Sequence, residues 1–526
     1  MRDNHANLPG GPPVSTVAAR TARRRPLSTA RSDRRDGRAG GRRRQRSASV
    51  RGVSEPWALS AVELRALYAR RTLSPVEVAR AVLDRLESLE PRLRAFVTPT
   101  PQLALSQAAA AERAYAEGSA GPVAGVPVSI KDLTATAGIR TTRGSLLHAD
   151  DVPAEDAPLV ERLYRAGAVM LGKSNTSEYG WKGDTTNRVH GSTQNPWREG
   201  LTAGGSSGGA AAAVSSGIGP LAQGSDGAGS IRIPAAFCGI YGIKPSYGRV
   251  PQWPAGSTLS HSGPIARTVA DAALMIDVME GSDPRDRWSL PAAGGHLAAA
   301  AEGGADGERG DALAGLRVAW SRDLGYAAVE DEVADAAEAA ALRLAELGAR
   351  VEEAHPEAGD PYPVLDVIWS CRMAGLFGPR LDEIEDQLDP GLAGVVRDAA
   401  RYSGADYGRA ILEQNTYVDV VRRFFDRYDL LLTPTLPVTA FPAGDDGPGS
   451  VAGRPRRFLE WTAFTYPFNL TGQPAATLPC GEVDGLPVGL QMVGRWRDDA
   501  AVLRASAAFE AIAPWRDRWP PVAGEA

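Results

Sequence analysis

Residues 202–230 read TAGGSSGGAAAAVSSGIGPLAQGSDGAGS, the densest glycine and serine stretch of the chain. A flexible linker would have this composition. However, the apolar run Ala210–Val214 interrupts the stretch, and the run Ile231–Phe237 follows it directly. A linker is not flanked so closely by core sequence, so we expect tight turns inside a folded domain, with glycines where the backbone needs positive φ.

The sequence around this stretch alternates between strand and helix patterns. Val126–Ile130 and Ala168–Leu171 are short apolar runs typical of buried strands, and Leu159–Ala166 between them has helical spacing. Strand, helix and strand at this distance predict an α/β sheet. Two more strand patterns cover Leu316–Trp320 and Leu430–Leu432.

Helices are predicted on both sides of this region. Ser60 with Glu63, and Ser74 with Glu77, each form a capping-box pattern, so two helices are expected within residues 60–89. Two more helical patterns cover Ala104–Glu117 and Val329–Leu347.

The first 52 residues differ in composition from the rest of the chain. They hold 14 Arg against three Asp, whereas the remaining residues hold 44 basic against 60 acidic residues. The acidic remainder argues against nucleic-acid binding there, although the basic segment could attract a nucleic acid or an anionic membrane. Because that segment lacks large apolar residues and periodicity, we expect a disordered tail. A start assigned upstream of the natural one, near Val53, would also explain it.

Several classes of site and protein are excluded by what the sequence lacks. No segment has the roughly 18 apolar residues of a membrane span, and no apolar run follows the N-terminal arginines as in a secretory signal. We therefore expect a cytoplasmic protein without membrane contact. The three cysteines are far apart, and no paired His or Cys pattern appears, so we expect no disulfide frame, no metal and no cofactor.

Lysine is rare in this chain, with four residues against 54 arginines. All of them fall within the window that holds the glycine-rich stretch: Lys131, Lys173, Lys182 and Lys244. Arginine stays charged in proteins, whereas a buried lysine can lose its proton. The lysines therefore mark positions at which arginine cannot serve, with chance clustering of a rare residue as the alternative.

Three motifs carry candidate chemistry. Lys131 follows the predicted strand in Gly125–Asp132, Ser206 and Ser207 form a pair between glycines, and Ser230 follows a glycine-rich turn. A serine nucleophile needs an adjacent base, and no histidine lies close in sequence. Burial lowers the pKa of a lysine so that its neutral amine accepts a proton, and a second hydroxyl can bridge the two groups. Backbone N–H groups of the glycine-rich turn would stabilise an oxyanion.

Together these motifs resemble the amidase signature family, over nearly all of residues 55–520. The likeness also includes Gly172–Glu178, Gly204–Arg249, Asn469–Ala475 and Gly485–Gly494. The resemblance implies a large, mixed, twisted β-sheet covered by helices on both faces. It also implies hydrolysis of a carboxamide C–N bond through a serine acyl-enzyme, giving a carboxylate and ammonia or an amine, with esters and carbamates as further substrates.

By that resemblance, Ser230 is the nucleophile, Ser206 lies in a cis peptide bond and relays the proton, and Lys131 is the base. The oxyanion hole is formed by the N–H groups of the turn, on Gly227, Ala228, Gly229 and Ser230. Residues expected to support these groups are Ser207, Asp226 and Arg232, of which the last two form a pair.

Two features depart from the family pattern. The family has two glycines before the nucleophile, whereas this chain has Ala228-Gly229, and the added side chain restricts φ. The tyrosine-rich segment of glutaminase subunits that act with charged tRNA is poorly matched by Tyr402–Tyr407. A glutaminase-type amidotransferase subunit and a non-catalytic scaffold are the alternative functions.

Two stretches also match the motifs of unrelated folds. Gly204–Gly208 fits the nucleophile elbow of α/β-hydrolases, but that fold needs a histidine late in the chain, and the last one is His355. Gly167–Ser174 fits a phosphate-binding P-loop, but its interior has the pattern of a buried strand instead of a flexible loop. The amidase interpretation is therefore favoured over both.

The remaining predictions concern domains and partners. Residues 53–520 are expected to form one domain, with an exposed loop or insert near 291–315 and a specificity region near 320–465. We expect a small-molecule amide as substrate, and a homodimer would be an ordinary assembly. Aromatic residues that line the substrate pocket or belong to the core are Trp181, Trp369, Phe377 and Trp461. Structural roles are predicted for Lys173 and Lys244. Exposed or loop positions are predicted for Lys182, His190 and His261.

Overall fold

The structure is a computed structural model and describes residues 55–254 and 257–525. The predictions of a tail or an upstream start concern residues 1–52, which lie outside the described residues. Within the described ranges, no helix combines the length and the apolar composition that crossing a bilayer requires.

The strands follow the chain in the order β1 (Phe96–Pro99), β2 (Pro127–Lys131), β3 (Val169–Ser174), β4 (Thr186–Asn187), β5 (Gly191–Ser192), β6 (Leu221–Asp226), β7 (Tyr241–Lys244), β8 (His261–Ala266), β9 (Arg317–Trp320), β10 (Arg350–Glu353), β11 (Leu430–Pro434), β12 (Ser450–Val451), β13 (Arg454–Pro455), β14 (Ala475–Val483) and β15 (Leu486–Gly494). Each strand that the sequence predicts is present, with ends shifted by at most three residues.

One eleven-stranded sheet has the order β1-β3-β2-β6-β8-β7-β14-β15-β11-β9-β10. Neighbouring strands are parallel within β3-β2-β6 and within β11-β9-β10, and antiparallel elsewhere. The prediction of a large mixed sheet is therefore confirmed.

The helices are α1 (Ala61–Ala69), α2 (Pro75–Leu93), α3 (Pro101–Glu117), α4 (Pro158–Arg165), α5 (Gly208–Ser215), α6 (Arg232–Phe237), α7 (Val269–Met279), α8 (His296–Arg309), α9 (Asp331–Leu342), α10 (Tyr362–Phe377), α11 (Leu381–Ile384), α12 (Pro390–Asp398), α13 (Gly404–Arg427), α14 (Pro467–Thr471) and α15 (Asp499–Ile512). Both predicted capping boxes are formed, at the starts of α1 and α2. Their side chains satisfy N–H groups that the first helical turn leaves without partners.

Alternate residues of the sheet face two different cores. In β6, Leu221 belongs to the apolar cluster that contains Val269 of α7, whereas Ala222 belongs to the cluster that contains Ala211 of α5. Successive side chains of a strand point to opposite faces. Helices therefore cover both faces of the sheet, as predicted.

The prediction of an exposed loop near 291–315 is wrong for the helix α8. The Ala and Gly residues of this helix allow close packing on α15, since a Cβ atom at Gly307 would lie 2.8 Å from the Cα atom of Ala508. The composition that suggested a loop instead permits two helices to approach closely.

Candidate active site

The three predicted catalytic residues lie at one edge of the sheet. Lys131 is the last residue of β2, Ser206 precedes α5, and Ser230 lies in the turn between β6 and α6. Because β2 and β6 are parallel neighbours, their carboxyl ends meet at the same edge. The strand order thus brings Lys131 close to the turn that holds Ser230.

Lys131 is fully buried and faces a pair of hydroxyl groups. Its Nζ atom lies 2.8 Å from Ser206 Oγ and 2.8 Å from Ser207 Oγ. It also lies 3.3 Å from the carbonyl oxygen of Ser225. The amine therefore has three oxygen neighbours and no exposure to water.

The hydrogen bonds of Ser207 determine how Lys131 can be oriented. The Ser207 hydroxyl donates to the carbonyl of Ser225 at 3.2 Å, so its oxygen accepts from the lysine. The carbonyl of Ser225 can only accept. A neutral amine has two N–H donors, which these two acceptors use, and its lone pair is left for the hydroxyl of Ser206.

Burial lowers the pKa of Lys131 from 10.5 to about 7, and the nearby carboxylate of Asp226 limits this decrease. A substantial fraction of the lysine is therefore a neutral amine near neutral pH.

The backbone brings the serine pair alongside Ser230. The Ser207 N–H donates to the carbonyl of Ser230 at 3.2 Å, and the Gly205–Ser206 peptide bond is cis. A Cβ atom at Gly205 would lie 2.5 Å from the backbone of Asp184, so only glycine fits at that position. Ser206 and Ser230 are both buried, with Ser230 7% exposed.

The turn before Ser230 is organised by the carboxylate of Asp226, which accepts from the N–H groups of Gly229 at 2.7 Å and Ile231 at 3.1 Å. The predicted oxyanion donor on Gly229 is thus already engaged. In the described residues, no hydrogen-bond acceptor contacts the N–H groups of Gly227, Ala228 and Ser230.

Ala228 is accommodated in this turn without a left-handed backbone conformation. Its side chain joins the apolar cluster of α10, and its carbonyl accepts from the Thr465 hydroxyl at 2.7 Å. The departure from the family pattern therefore places a methyl group against α10.

Asp226 and Arg232 form the predicted pair, and both are fully buried. Arg232 donates to both carboxylate oxygens, at 3.0 Å and 2.9 Å. Burial alone would raise the pKa of Asp226, but the charge and hydrogen bonds of Arg232 outweigh it and hold the pKa below its usual value. The turn is thus fixed by an ionised carboxylate.

Sequence reasoning missed residues that complete this pair. Asn469 donates to the Asp226 carboxylate at 2.9 Å, and Gln491 accepts from Arg232 at 2.8 Å. Both lie in stretches that carry the family resemblance, Asn469–Ala475 and Gly485–Gly494. A polar residue inside an otherwise apolar or glycine-rich motif was the signal that could have identified them.

All four lysines are buried, which corrects one prediction. Lys182, expected to be exposed, lies 2.8 Å from Asp446 and 3.5 Å from Asp389. Those aspartates are more than 200 residues away, so the sequence around Lys182 does not indicate them. His261, expected at the surface, is also buried, in β8.

The four predicted aromatic candidates are buried, and one borders the turn Gly227–Ser230, which we call the nucleophile turn after the predicted role of Ser230. The edge of Trp369 would lie 3.3 Å from a Cβ atom at Gly227. Trp181 and Phe377 share the apolar cluster of Trp369, whereas Trp461 belongs to a different cluster. An aromatic wall, formed by the Trp369 ring and the apolar cluster around it, therefore borders the turn before Ser230.

One group of possible metal ligands lies apart from this site. Asp277, Glu280 and His296 place ligand atoms within 4.8 Å of one another. The Asp277 carboxylate accepts from the N–H of His296 at 3.0 Å, and that of Glu280 accepts from the N–H of Gly294 at 2.6 Å. Arg249 lies 3.6 Å from Glu280. These contacts attach the start of α8 to α7, and we assign no metal to the group.

Comparison with known proteins identifies the family. The model of the Amidase family matches residues 77–503. The chain belongs to the amidase signature family. An acylamidase of Rhodococcus erythropolis is 41% identical over 474 residues, which cover 88% of this chain and 97% of the relative. A glutamyl-tRNA(Gln) amidotransferase subunit of Moorella thermoacetica is 38% identical, over 89% of this chain and 99% of its own.

Among solved structures, a bacterial aryl acylamidase of the amidase signature family matches with a TM-score of 0.81 and 32% identity. The match covers 89% of this chain and 99% of that protein. The family, the acylamidase relative and the aryl acylamidase structure together identify this chain as an amidase, an enzyme of amide-bond hydrolysis.

Proposed function

We propose that this amidase signature enzyme cleaves a carboxamide through an acyl-enzyme on Ser230. The observation that carries the proposal is the hydrogen-bond arrangement at Lys131, which leaves the lone pair of the neutral amine for Ser206. Ser206 then accepts the proton of Ser230 while it donates its own proton to Lys131. Ser230 Oγ attacks the amide carbon, and the C–N bond breaks after the lysine returns the proton to the leaving nitrogen. Water then attacks the acyl-enzyme with the same proton transfers. The bond between the acyl carbon and Ser230 Oγ breaks, the serine regains its proton, and the carboxylate is released.

The oxyanion hole that we propose differs from the expected one at a single residue. Since the N–H of Gly229 donates to Asp226, the tetrahedral oxyanion would bind the N–H groups of Gly227, Ala228 and Ser230. Donors of this kind stabilise the charge that develops on the carbonyl oxygen, and loss of one typically raises the barrier by about 3–4 kcal/mol.

For the substrate, we propose an amide with an apolar aryl or alkyl group. The apolar cluster around Trp369 and Ala228 borders the nucleophile turn, and the similar proteins named above include an acylamidase and an aryl acylamidase. Esters and carbamates remain further candidates because they undergo the same acyl transfer. A cytoplasmic location and a homodimer stay predictions.

A glutaminase-type subunit of an amidotransferase is the second candidate, favoured by the similarity to the Moorella protein. The two functions differ in the group bound beside the amide, because glutamine carries an ammonium and a carboxylate. Release of ammonia from glutamine by the purified chain, in preference to hydrolysis of apolar amides, would decide for this alternative.

The proposal is tested by hydrolysis of aryl amides, aliphatic amides, carbamates and p-nitrophenyl esters by the wild type, Ser230→Ala and Lys131→Ala. Wild-type turnover of at least one amide is expected, with loss of that turnover in both variants. Turnover that survives in Ser230→Ala would overturn the assigned nucleophile. A folded wild type that is inactive towards the whole panel and glutamine would overturn the proposed activity.

A further inference from the structure

Lys182 connects the catalytic half of the chain to two distant segments of the predicted specificity region. Its side chain is 3% exposed and lies 2.8 Å from Asp446 and 3.5 Å from Asp389. Asp389 is the N-cap of α12, where its carboxylate accepts from the N–H of Gly391 at 2.9 Å. One buried cation therefore contacts both the start of α12 and the loop that holds Asp446.

A second contact joins the same part of the chain to α12. The carboxylate of Glu178 accepts from the N–H of Asp389 at 2.5 Å and from the hydroxyl of Ser145 at 2.5 Å. The backbone of Gly391 also packs against Trp181, where a Cβ atom would overlap the indole ring. We name the segment Glu178–Lys182 the bridging segment, since α12 contacts it at several points.

The other side of the bridging segment faces the catalytic serine pair. A Cβ atom at Gly180 would lie 3.0 Å from Ser206 Oγ, which is closer than an ordinary contact, and the φ of +71° at this position favours glycine. The ring of Tyr179 packs edge-on against Phe377 of α10, with the centroids 4.8 Å apart. The bridging segment thus lies between Ser206 and the aromatic wall.

Helix α12 supplies part of that wall. Leu392, Ala393 and Val396 belong to the apolar cluster that contains Ala228 and Trp369. Displacement of α12 would therefore change the space next to the nucleophile turn, although α12 contributes no group to proton transfer.

We propose that Lys182 is a positioning residue that sets the size of the substrate pocket by holding α12 and the Asp446 loop against the bridging segment. The inference rests on the proposed function only for the identity of the substrate. Lysine suits this position because a compact ammonium can lie between two carboxylates over the Trp181 ring, whose centroid is 5.2 Å away. Removal of the cation leaves Asp389, whose side chain is 13% exposed, without its partner.

The first test separates binding from chemistry. In Lys182→Met, we expect KM for the best aryl amide to rise about tenfold with kcat within about threefold of wild type, because substrate contacts loosen while the proton path stays intact. KM should rise less for substrates with bulky acyl groups than for substrates with small ones. Lys182→Arg keeps the positive charge in a larger group, so its KM should lie between those of wild type and Lys182→Met. Arg322→Met removes surface ion pairs of α9 and is the control for general loss of charge.

A fall in kcat with KM unchanged would overturn the positioning role, as would equal effects of Lys182→Met and Arg322→Met on KM. If the wild type hydrolyses nothing in the panel, the proposed function fails, but the inference is still tested by hydrogen exchange. Peptides covering residues 386–398 and 440–449 should exchange faster in Lys182→Met than in wild type and in Lys182→Arg. Unchanged exchange in both peptides would overturn the proposal independently of activity.

Discussion

Two buried lysines in neighbouring strands show what separates the proposed base from a lysine with a structural role. Lys131 ends β2, and Lys173 lies in β3, which is parallel to β2. Lys131 is paired in register with Ser174, so Lys173 points to the opposite face of the sheet. Both lysines are fully buried, and burial lowers the pKa of each to about 7.

The neighbours of Lys173 are all acceptors. Its Nζ donates to the carbonyl of Thr134, to Thr136 Oγ1 at 2.8 Å and to Thr141 Oγ1 at 3.0 Å. The hydroxyl of Thr136 donates to the carbonyl of Thr134, and that of Thr141 donates to the carbonyl of Ile139. No hydroxyl proton is therefore left for Lys173 to accept, and three acceptors suit an ammonium group.

Lys131 differs from Lys173 in one neighbouring hydroxyl group, that of Ser206. Ser206 Oγ has no hydrogen-bond partner other than Lys131 in the part of the chain that the structure describes, so its proton is free to point at the amine. Burial is common to both lysines and so does not explain a catalytic role. We propose that the uncommitted hydroxyl makes the difference, because it supplies the amine of Lys131 with a proton to accept.

The largest expected effect is on turnover. Lys131→Met should lower kcat for an amide by about 10³-fold, since general base catalysis typically contributes 10²–10⁴-fold. Lys173→Met should stay within about tenfold of wild type, because it leaves the proton path intact. Steady-state kinetics of the two matched variants measure the difference. Equal losses of kcat in folded variants would remove the distinction between the two lysines.

The pH dependence of kcat/KM measures the pKa of the proposed base. In the proposed mechanism only the neutral amine of Lys131 accepts a proton, so activity should fall about tenfold per unit below a midpoint near pH 7 and become constant above pH 8. Lys173 does not contribute to the shift of Lys131, so Lys173→Met should keep the same midpoint. A midpoint that moves with Lys173→Met would mean that Lys173 controls the base.

The sequence predicted much of this site because its main parts are local. Scarcity of lysine marked four positions that are all buried, and motif spacing identified Lys131, Ser206 and Ser230. It also gave Lys131 and Lys173 different roles, but it did not indicate the acceptors of Lys173, because these lie in a loop without a motif. Lys182 was misjudged for the same reason, as its aspartate partners come from distant segments.

The fold shows the same limit. Strands with apolar runs and helices with capping boxes were predictable from neighbouring residues. The helix α8 was not predictable, because its Ala and Gly residues pack against α15, which lies about 200 residues later in the chain. The engagement of Gly229 by Asp226 likewise depends on the conformation of the turn and not on its composition.

For stability, the order of the two effects should be reversed, so that replacement of Lys173 costs more than replacement of Lys131. Lys173→Met leaves three buried acceptors, on Thr134, Thr136 and Thr141, without their shared donor and removes the charge that lowers the pKa of the buried Asp132 carboxyl, so the free energy of unfolding should fall by about 3 kcal/mol. Lys131→Met should cost only about 1 kcal/mol, because Asp226 keeps Arg232 as its partner. Urea unfolding of both variants at pH 7.5 measures this. Lys173→Met combined with Asp132→Asn is the control and should recover part of the loss.

The smallest expected effect on kcat comes from a variant that changes only the orientation of the Lys131 amine. Ser207→Ala removes the acceptor that engages one N–H of Lys131, so the amine can turn its lone pair away from Ser206. We expect kcat to fall about tenfold, which corresponds to one hydrogen bond of about 1.4 kcal/mol, with the pH midpoint near 7 retained. Thr136→Val removes the corresponding acceptor of Lys173 and should leave kcat unchanged. If Ser207→Ala were as active as wild type, Ser206 alone would orient the amine, and the contrast between the two lysines would depend on Ser206 alone.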